Sequence, residues 1–227
     1  MQLIQTKFSS KLLMTLLKEL FRGKSLARTL LNFNLRDVEL SGEILDLGSK
    51  SNSASYNRFL RHRDPYKVTY TDWHIAGEDI IRLNLEEDFK LENNKFDAIT
   101  CFNVLEHIYN YKNLIKESHR VLRQGGLFVG GTPFLINYHA DPHDYFRYTH
   151  EAINRMFSEA GFRVEKMVYL GYGPIFASLE MQMHIFPRVL RPFLTGISLL
   201  FDYIILKLKK SQRLRYPLGY TYIFRKK

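Results

Sequence analysis

With one cysteine, Cys101, the chain cannot close an internal disulfide. That excludes the small cross-linked folds of secreted domains and points to a reducing compartment. Long hydrophobic runs are missing as well. The longest apolar stretch, Phe193 to Leu206, is interrupted by Asp202 and falls short of the roughly 20 residues a spanning helix needs. At the N-terminus Lys7, Lys11 and Lys18 break up the apolar pattern, unlike the core of a secretory signal, so a cytoplasmic protein is expected. Internal repeats and low-complexity tracts are absent too.

Acidic residues are the minority, 23 Asp and Glu against 33 Lys and Arg. The excess cations lie at the ends: residues 1–36 carry seven against Glu19, and residues 185–227 carry ten against Asp202, which leaves the centre net acidic. Basic, apolar-rich ends suggest contact with an anionic surface, with the chemistry left to the centre. The stretch 185–215 is the candidate for a membrane face, because clustered Lys and Arg, including Lys207, Lys209, Lys210, Arg213 and Arg215, follow Phe193, Leu199, Leu200, Ile204 and Ile205. Binding to the inner face of a membrane as a peripheral protein is the corresponding expectation. Nucleic acid ranks lower, since no nucleic-acid module is recognisable. A helix closed by cations also satisfies its own dipole, which accounts for some of these charges without any partner.

At 227 residues one large domain with appendages is expected. Leucines at helical spacing over residues 8–32 read as an N-terminal helical arm (1–40), with a second helix near Ser25. From Glu43 short apolar runs alternate with helical stretches, the pattern of a parallel sheet wound with helices. Strands are expected at Glu43–Leu47, Val68–Asp72, Asp79–Arg82, Phe96–Phe102, Gly126–Gly131, Arg163–Tyr169 and Gly219–Phe224. Helices are expected near Ser53–Arg61, Tyr111–Leu122, His150–Ala160 and Leu179–Lys209. The fold class is α/β, with one domain over 41–227 that includes a basic, apolar helical insertion at 172–215.

In such sheets ligands bind beyond the carboxyl ends of the strands. After the first strand comes Asp46-Leu47-Gly48-Ser49-Lys50-Ser51-Asn52, a glycine and small residues where a backbone must approach a ligand and turn sharply. The next strand ends on Asp72, a carboxylate able to accept hydrogen bonds from both hydroxyls of a ribose. Phe96–Phe102 leads into Asn103-Val104-Leu105-Glu106-His107, then a helix, then Arg123-Gln124-Gly125-Gly126, where the glycines suit a helix C-terminus. After Gly126–Gly131 comes a loop, Thr132 to Thr149, holding His139, Asp141, His143, Asp144, Arg147 and several aromatics.

This order of segments resembles the class I S-adenosylmethionine-dependent methyltransferases of the type 11 kind over residues 40–170. The resemblance implies a Rossmann-like seven-stranded sheet, its last strand antiparallel, with helices on both faces and S-adenosylmethionine as cofactor. It sets Asp46 and Gly48 in the first cofactor loop, Asp72 on the ribose, Asn84 and Leu85 by the adenine and Asn103 near the methionine part. Ser49, Trp73 and His107 complete the cofactor set, and Glu106 with His107 supports the loop. Relatives carry further glycines where this chain has Lys50 and Asn52, and a lysine adopts positive φ at a cost.

Three readings meet in the loop after the fifth strand. His143 or His139 can act as general base, oriented by Asp144 or Asp141, with Arg147 part of the catalytic set. His139, Asp141 and His143 can instead bind a metal, although their alternate spacing is a loose criterion and no metal is expected. The plainest reading is a hydrogen-bonded scaffold. The loop also resembles a subgroup found with glycan-assembly enzymes, which implies O-methylation of a sugar in a surface polysaccharide or a lipid-linked precursor. Methylation of a membrane-resident quinone precursor, and a catalytically silent scaffold with a decayed first loop, are the rivals.

Overall fold

A computed structural model describes residues 3–75, 77, 79–212 and 214–227; Met1, Gln2, Ala76, Glu78 and the basic-end residue Arg213 lie outside the described residues. In chain order the elements are β1 (Ile4–Gln5), α1 (Ser10–Phe21), α2 (Leu26–Asn34), β2 (Glu39–Leu47), β3 (Arg61–Asp72), β4 (Ile80–Arg82) and β5 (Phe96–Phe102). There follow α3 (Tyr111–Val121), β6 (Leu122–Pro133), α4 (His150–Glu159), β7 (Phe162–Leu170), α5 (Pro174–Gln182), α6 (Arg191–Leu208) and β8 (Gly219–Lys226).

The strands form one sheet in the order β1-β7-β8-β6-β5-β2-β3-β4. Its strands run parallel except β8, which is antiparallel to both β6 and β7. The α/β Rossmann-like class holds, with an eighth strand added: two residues of β1 pair alongside β7 at the sheet edge. Chain order reverses between β2 and β5, because β2 leads outward to β3 and β4 before β5 returns to its other side. A crevice at the carboxyl ends of β2 and β5 is the geometric result.

Strand side chains alternate between two apolar layers, as the two-residue period of a strand requires. Leu45, Leu47, Ile99, Cys101 and Phe128 face α3 and α4, where Leu114, Ile115, Ile153 and Phe157 bury. Ile44, Ala98, Val129 and Val168 face the opposite way. There the leucines of α1 and α2, among them Leu12, Leu16, Leu20 and Leu30, are completely buried. The N-terminal helical arm therefore forms a layer on the sheet, and its apolar face packs on the domain.

Three expectations need correction. Ser53–Arg61 is not a helix but a single 3-10 turn at Ser55–Arg58, because β3 begins early, at Arg61, and the Ser- and Asn-rich segment before it favours local turns. The long helix expected over Leu179–Lys209 is two helices, α5 and α6. Pro187 lies in the break between them, and Pro192 sits in the first turn of α6, where its missing N–H costs nothing. Finally, α3 ends at Val121 without a glycine; Gly125, at φ 76°, lies inside β6 instead, next to a register irregularity between β5 and β6.

No helix among the described residues is long and apolar enough to cross a membrane. On α6, Thr195, Ser198 and Asp202 are buried, while Phe193, Ile197, Leu200, Phe201, Ile204 and Leu208 are exposed. This helix turns Thr195, Ser198 and Asp202 inward beside Leu194 and Leu199, and leaves an apolar face to solvent.

Candidate active site

A cavity of about 430 Å³ opens at the carboxyl ends of the strands. Four segments converge on it: Gly48 and Lys50 after β2, Thr71 to His74 at the end of β3, Leu83 to Glu86 after β4, and Asn103 to Ile108 after β5, with the exception of Asn84, Leu105 and Glu106. The long loop after β6 closes one side through Asp141, Pro142, His143 and Tyr145. Of the residues singled out in the sequence, Gly48, Asp72, Trp73, Leu85, Asn103, His107 and His143 line this space together. Asp46, Ser49, Asn84, His139, Asp144 and Arg147 lie outside the lining.

Gly48 has φ 81°, and its amide donates to the Thr71 hydroxyl at 3.0 Å. A Cβ there would come within 2.8 Å of Val104, so the glycine answers both to backbone conformation and to the close approach of the neighbouring loop. Asn103 also takes positive φ, 53°, and its amide donates to the carbonyl of Gly131 at 2.8 Å, which anchors the turn out of β5 to β6. Asparagine tolerates this region better than most side chains.

Asp72 is oriented by its own chain. One carboxylate oxygen accepts from the amides of His74 and Ile75, both at 2.8 Å, while the other faces Lys50 Nζ at 3.6 Å. Burial pushes its pKa up, but the two amides and the lysine prevail and hold it below the usual carboxylate range, so it is charged near neutrality. The second oxygen is thus the one available to a ligand. Lys50 holds φ 65° and reaches over this carboxylate with its side chain about half exposed, leaving the cavity open.

Asp46 sits behind the crevice. Its carboxylate accepts from Tyr56 Oη at 2.6 Å and Thr100 Oγ1 at 2.8 Å, and burial pushes its pKa up. It braces the start of the β2 loop against β5. Asn84 folds back onto its own turn, donating to Glu87 and accepting from the amide of Glu86.

In the loop after β6, Asp144 and Arg147 form a two-pronged ion pair with N···O distances of 2.5 and 2.6 Å, which holds the Asp144 carboxyl far below its ordinary range. Asp144 also accepts from the amide of His139 at 2.9 Å and lies 3.5 Å from that ring, so the histidine it accompanies is His139. His143 instead presents an exposed ring against Tyr145, and its carbonyl accepts a hydrogen bond from His107 Nδ1. His139 is raised above the ordinary imidazole range, chiefly by the Glu106 carboxylate beside it, with Asp144 adding to the effect. Glu106 is completely buried, and neither carboxylate oxygen has a hydrogen-bond partner among the described residues.

Sequence reasoning missed Thr71, His74, Leu83, Glu86, Val104 and Ile108 in the cavity wall. All six lie within two residues of a motif position, and only strand ends placed to the residue could have drawn them in.

Residues 34–130 match the family described as methyltransferase domain. A curated protein of Mycolicibacterium smegmatis, named as a probable S-adenosylmethionine-dependent methyltransferase, is 29% identical over 108 residues, which cover 45% of this chain. The chain spans 42% of the length of that relative. Among solved structures, an S-adenosylmethionine-dependent methyltransferase from Archaeoglobus fulgidus aligns with a TM-score of 0.57 at 15% identity, covering 92% of this chain and 97% of that one. Another, from Mesorhizobium loti, gives a TM-score of 0.53 at 16% identity, with coverages of 86% and 95%. The fold is thus the Rossmann-like one found in methyltransferases, and residues 34–130 are similar to a methyltransferase domain.

Proposed function

We propose that the whole chain is an S-adenosylmethionine-dependent methyltransferase that methylates a hydroxyl of a sugar, in a surface polysaccharide or in its lipid-linked precursor at the inner face of a membrane. The observation that carries the cofactor reading is the convergence of Gly48, Asp72 and Asn103 on one open cavity at the point where strand order reverses. In this reading the Asp72 oxygen that faces Lys50 accepts from the ribose hydroxyls, Leu83 and Leu85 lie against the adenine, and Asn103 borders the methionine part.

The acceptor enters from the side of the long loop. His143 and Tyr145 stand on that wall beside Asp141, a polar surface that favours a hydroxylated acceptor over a quinone. S-adenosylmethionine would supply the methyl group, and what falls to this chain is to position the acceptor hydroxyl and to take its proton with a base. His143 is the candidate, exposed to the cavity and with a ring free of carboxylate partners among the described residues. His139 with Asp144 is the alternative base, and Arg147 fixes Asp144. The lipid-linked acceptor is favoured by the outward apolar face of α6 and the cations of residues 185–215 around it.

The scaffold reading has one observation of its own, the Lys50 ammonium over Asp72. Calorimetry separates the two. S-adenosylhomocysteine is expected to bind with low micromolar affinity, and absence of both heat and thermal shift would leave the scaffold. With an acceptor in hand, His143→Ala is expected to abolish turnover while leaving cofactor binding intact; unchanged turnover would remove His143 as the base.

A further inference from the structure

We propose that Glu106, His107 and His139 bind a divalent transition-metal ion at the edge of the cavity. One ligand atom from each lies within 4.8 Å of the others. Glu106 Oε1 is 3.8 Å from His107 Nε2 and 3.8 Å from His139 Nε2. Those separations are too long for hydrogen bonds. They are a few tenths of an ångström wider than the roughly 3.3–3.6 Å between tetrahedral ligand atoms 2.0–2.2 Å from one ion, so a small side-chain shift would close them on a shared ion.

The carboxylate supplies the first independent argument. Glu106 is fully buried with both oxygens short of a hydrogen bond among the described residues, and although Arg28 and Arg147 act on it from a distance, neither guanidinium is hydrogen-bonded to it. It faces two imidazoles, and a cation held jointly by all three side chains would satisfy it.

Imidazole tautomers supply the second. His107 Nδ1 meets the carbonyl of His143, and His139 Nδ1 meets the carbonyl of Asn137 at 3.1 Å. A carbonyl can only accept, so each Nδ1 carries a proton, and Nε2 is the nitrogen each ring turns toward Glu106, the one left to bind an ion. This is the outer-shell arrangement that orients metal-binding histidines, and Asp144, 3.5 Å from His139 Nδ1, adds a carboxylate behind one of them. The two rings stand edge to face with centroids 5.0 Å apart, so neither blocks the other's approach to a common point.

Two imidazoles and one carboxylate favour zinc, cobalt or manganese over magnesium, which prefers oxygen and retains its waters. Three protein ligands leave at least one coordination position open. His107 also lines the cavity, so the ion borders the proposed acceptor side, where a hydroxyl oxygen taking the open position would be made more acidic. That role rests on the methyltransferase reading, whereas the existence of the site does not.

The test is calorimetry on full-length protein stripped with chelator and titrated in turn with Zn²⁺, Co²⁺ and Mg²⁺, with visible absorption recorded for Co²⁺. One Zn²⁺ per chain is expected, at least a hundredfold tighter than Mg²⁺, together with cobalt d–d bands. His139→Ala, in a partly exposed loop position that folding should tolerate, is expected to weaken Zn²⁺ at least tenfold and abolish the bands. Zn²⁺ binding no tighter than Mg²⁺, or binding unchanged in H139A, overturns the proposal. S-adenosylhomocysteine titrated into the same samples keeps the two readings apart, since cofactor binding without zinc removes only the metal, and zinc without cofactor removes only the methyltransferase.

Discussion

Lys50 is the residue at which sequence and cavity meet most directly. Its left-handed backbone is unfavourable for a side chain with a Cβ, by about 1–2 kcal/mol, and its ammonium stands 3.6 Å from the oxygen of Asp72 that a ribose would use. Lys50→Gly should therefore raise thermal stability by about 1 kcal/mol and lower the Kd for S-adenosylhomocysteine by up to about fivefold, the equivalent of an exposed ion pair worth ~1 kcal/mol. Thermal melts and calorimetry on the two proteins check both effects. A weaker Kd would mean that Lys50 assists the cofactor instead of competing with it. The positive φ of Lys50 was legible from the missing glycine, but its reach to Asp72 was not, because that depends on how the chain leaves β2. Glu106 was hidden for a similar reason: the Leu-Glu-His string gives its place in sequence, while His139 arrives from 33 residues further on.

Among the elements, the caps tell most about how the layers hold together. Asp202, the acid that breaks the apolar pattern of α6, accepts from the amides of Ile175 at 3.0 Å and Phe176 at 2.8 Å, and so caps the first turn of α5 from another helix. Gly173 makes room for it, since a Cβ there would lie 2.5 Å from the Asp202 carboxyl carbon. Glu180 of α5 in turn accepts from the amides of Leu26 and Ala27 at the start of α2. Asp202→Ala is expected to cost about 1–2 kcal/mol, read as a lower urea midpoint with unchanged slope. A neutral result would mean that water replaces the cap. The strands of the central sheet were readable from their apolar runs, and β5 was placed to the residue, because buried parallel strands are dense in such runs. The first crossover and the break before α6 were not. Both depend on a balance between local turn chemistry and space on the sheet, which helical spacing alone does not register.

For the molecule as a whole, charge and apolar surface gather on the same edge. The exposed residues of α6 recur every three or four positions, from Phe193 to Leu208, beside Lys207, Lys209 and Lys210. Flotation with vesicles is expected to carry the protein upward when they contain anionic lipid and much less when they are neutral, and added salt should weaken the effect. Equal failure on both vesicles would reject the membrane reading. The basic end was visible in composition; that α6 turns Thr195, Ser198 and Asp202 inward was not, since a periodic pattern does not say which side meets the core. A protein built this way is poorly suited to being alone in dilute buffer. Deprived of its counterpart, that edge should make samples self-associate as concentration rises, and mild detergent should disperse them before it disturbs the fold.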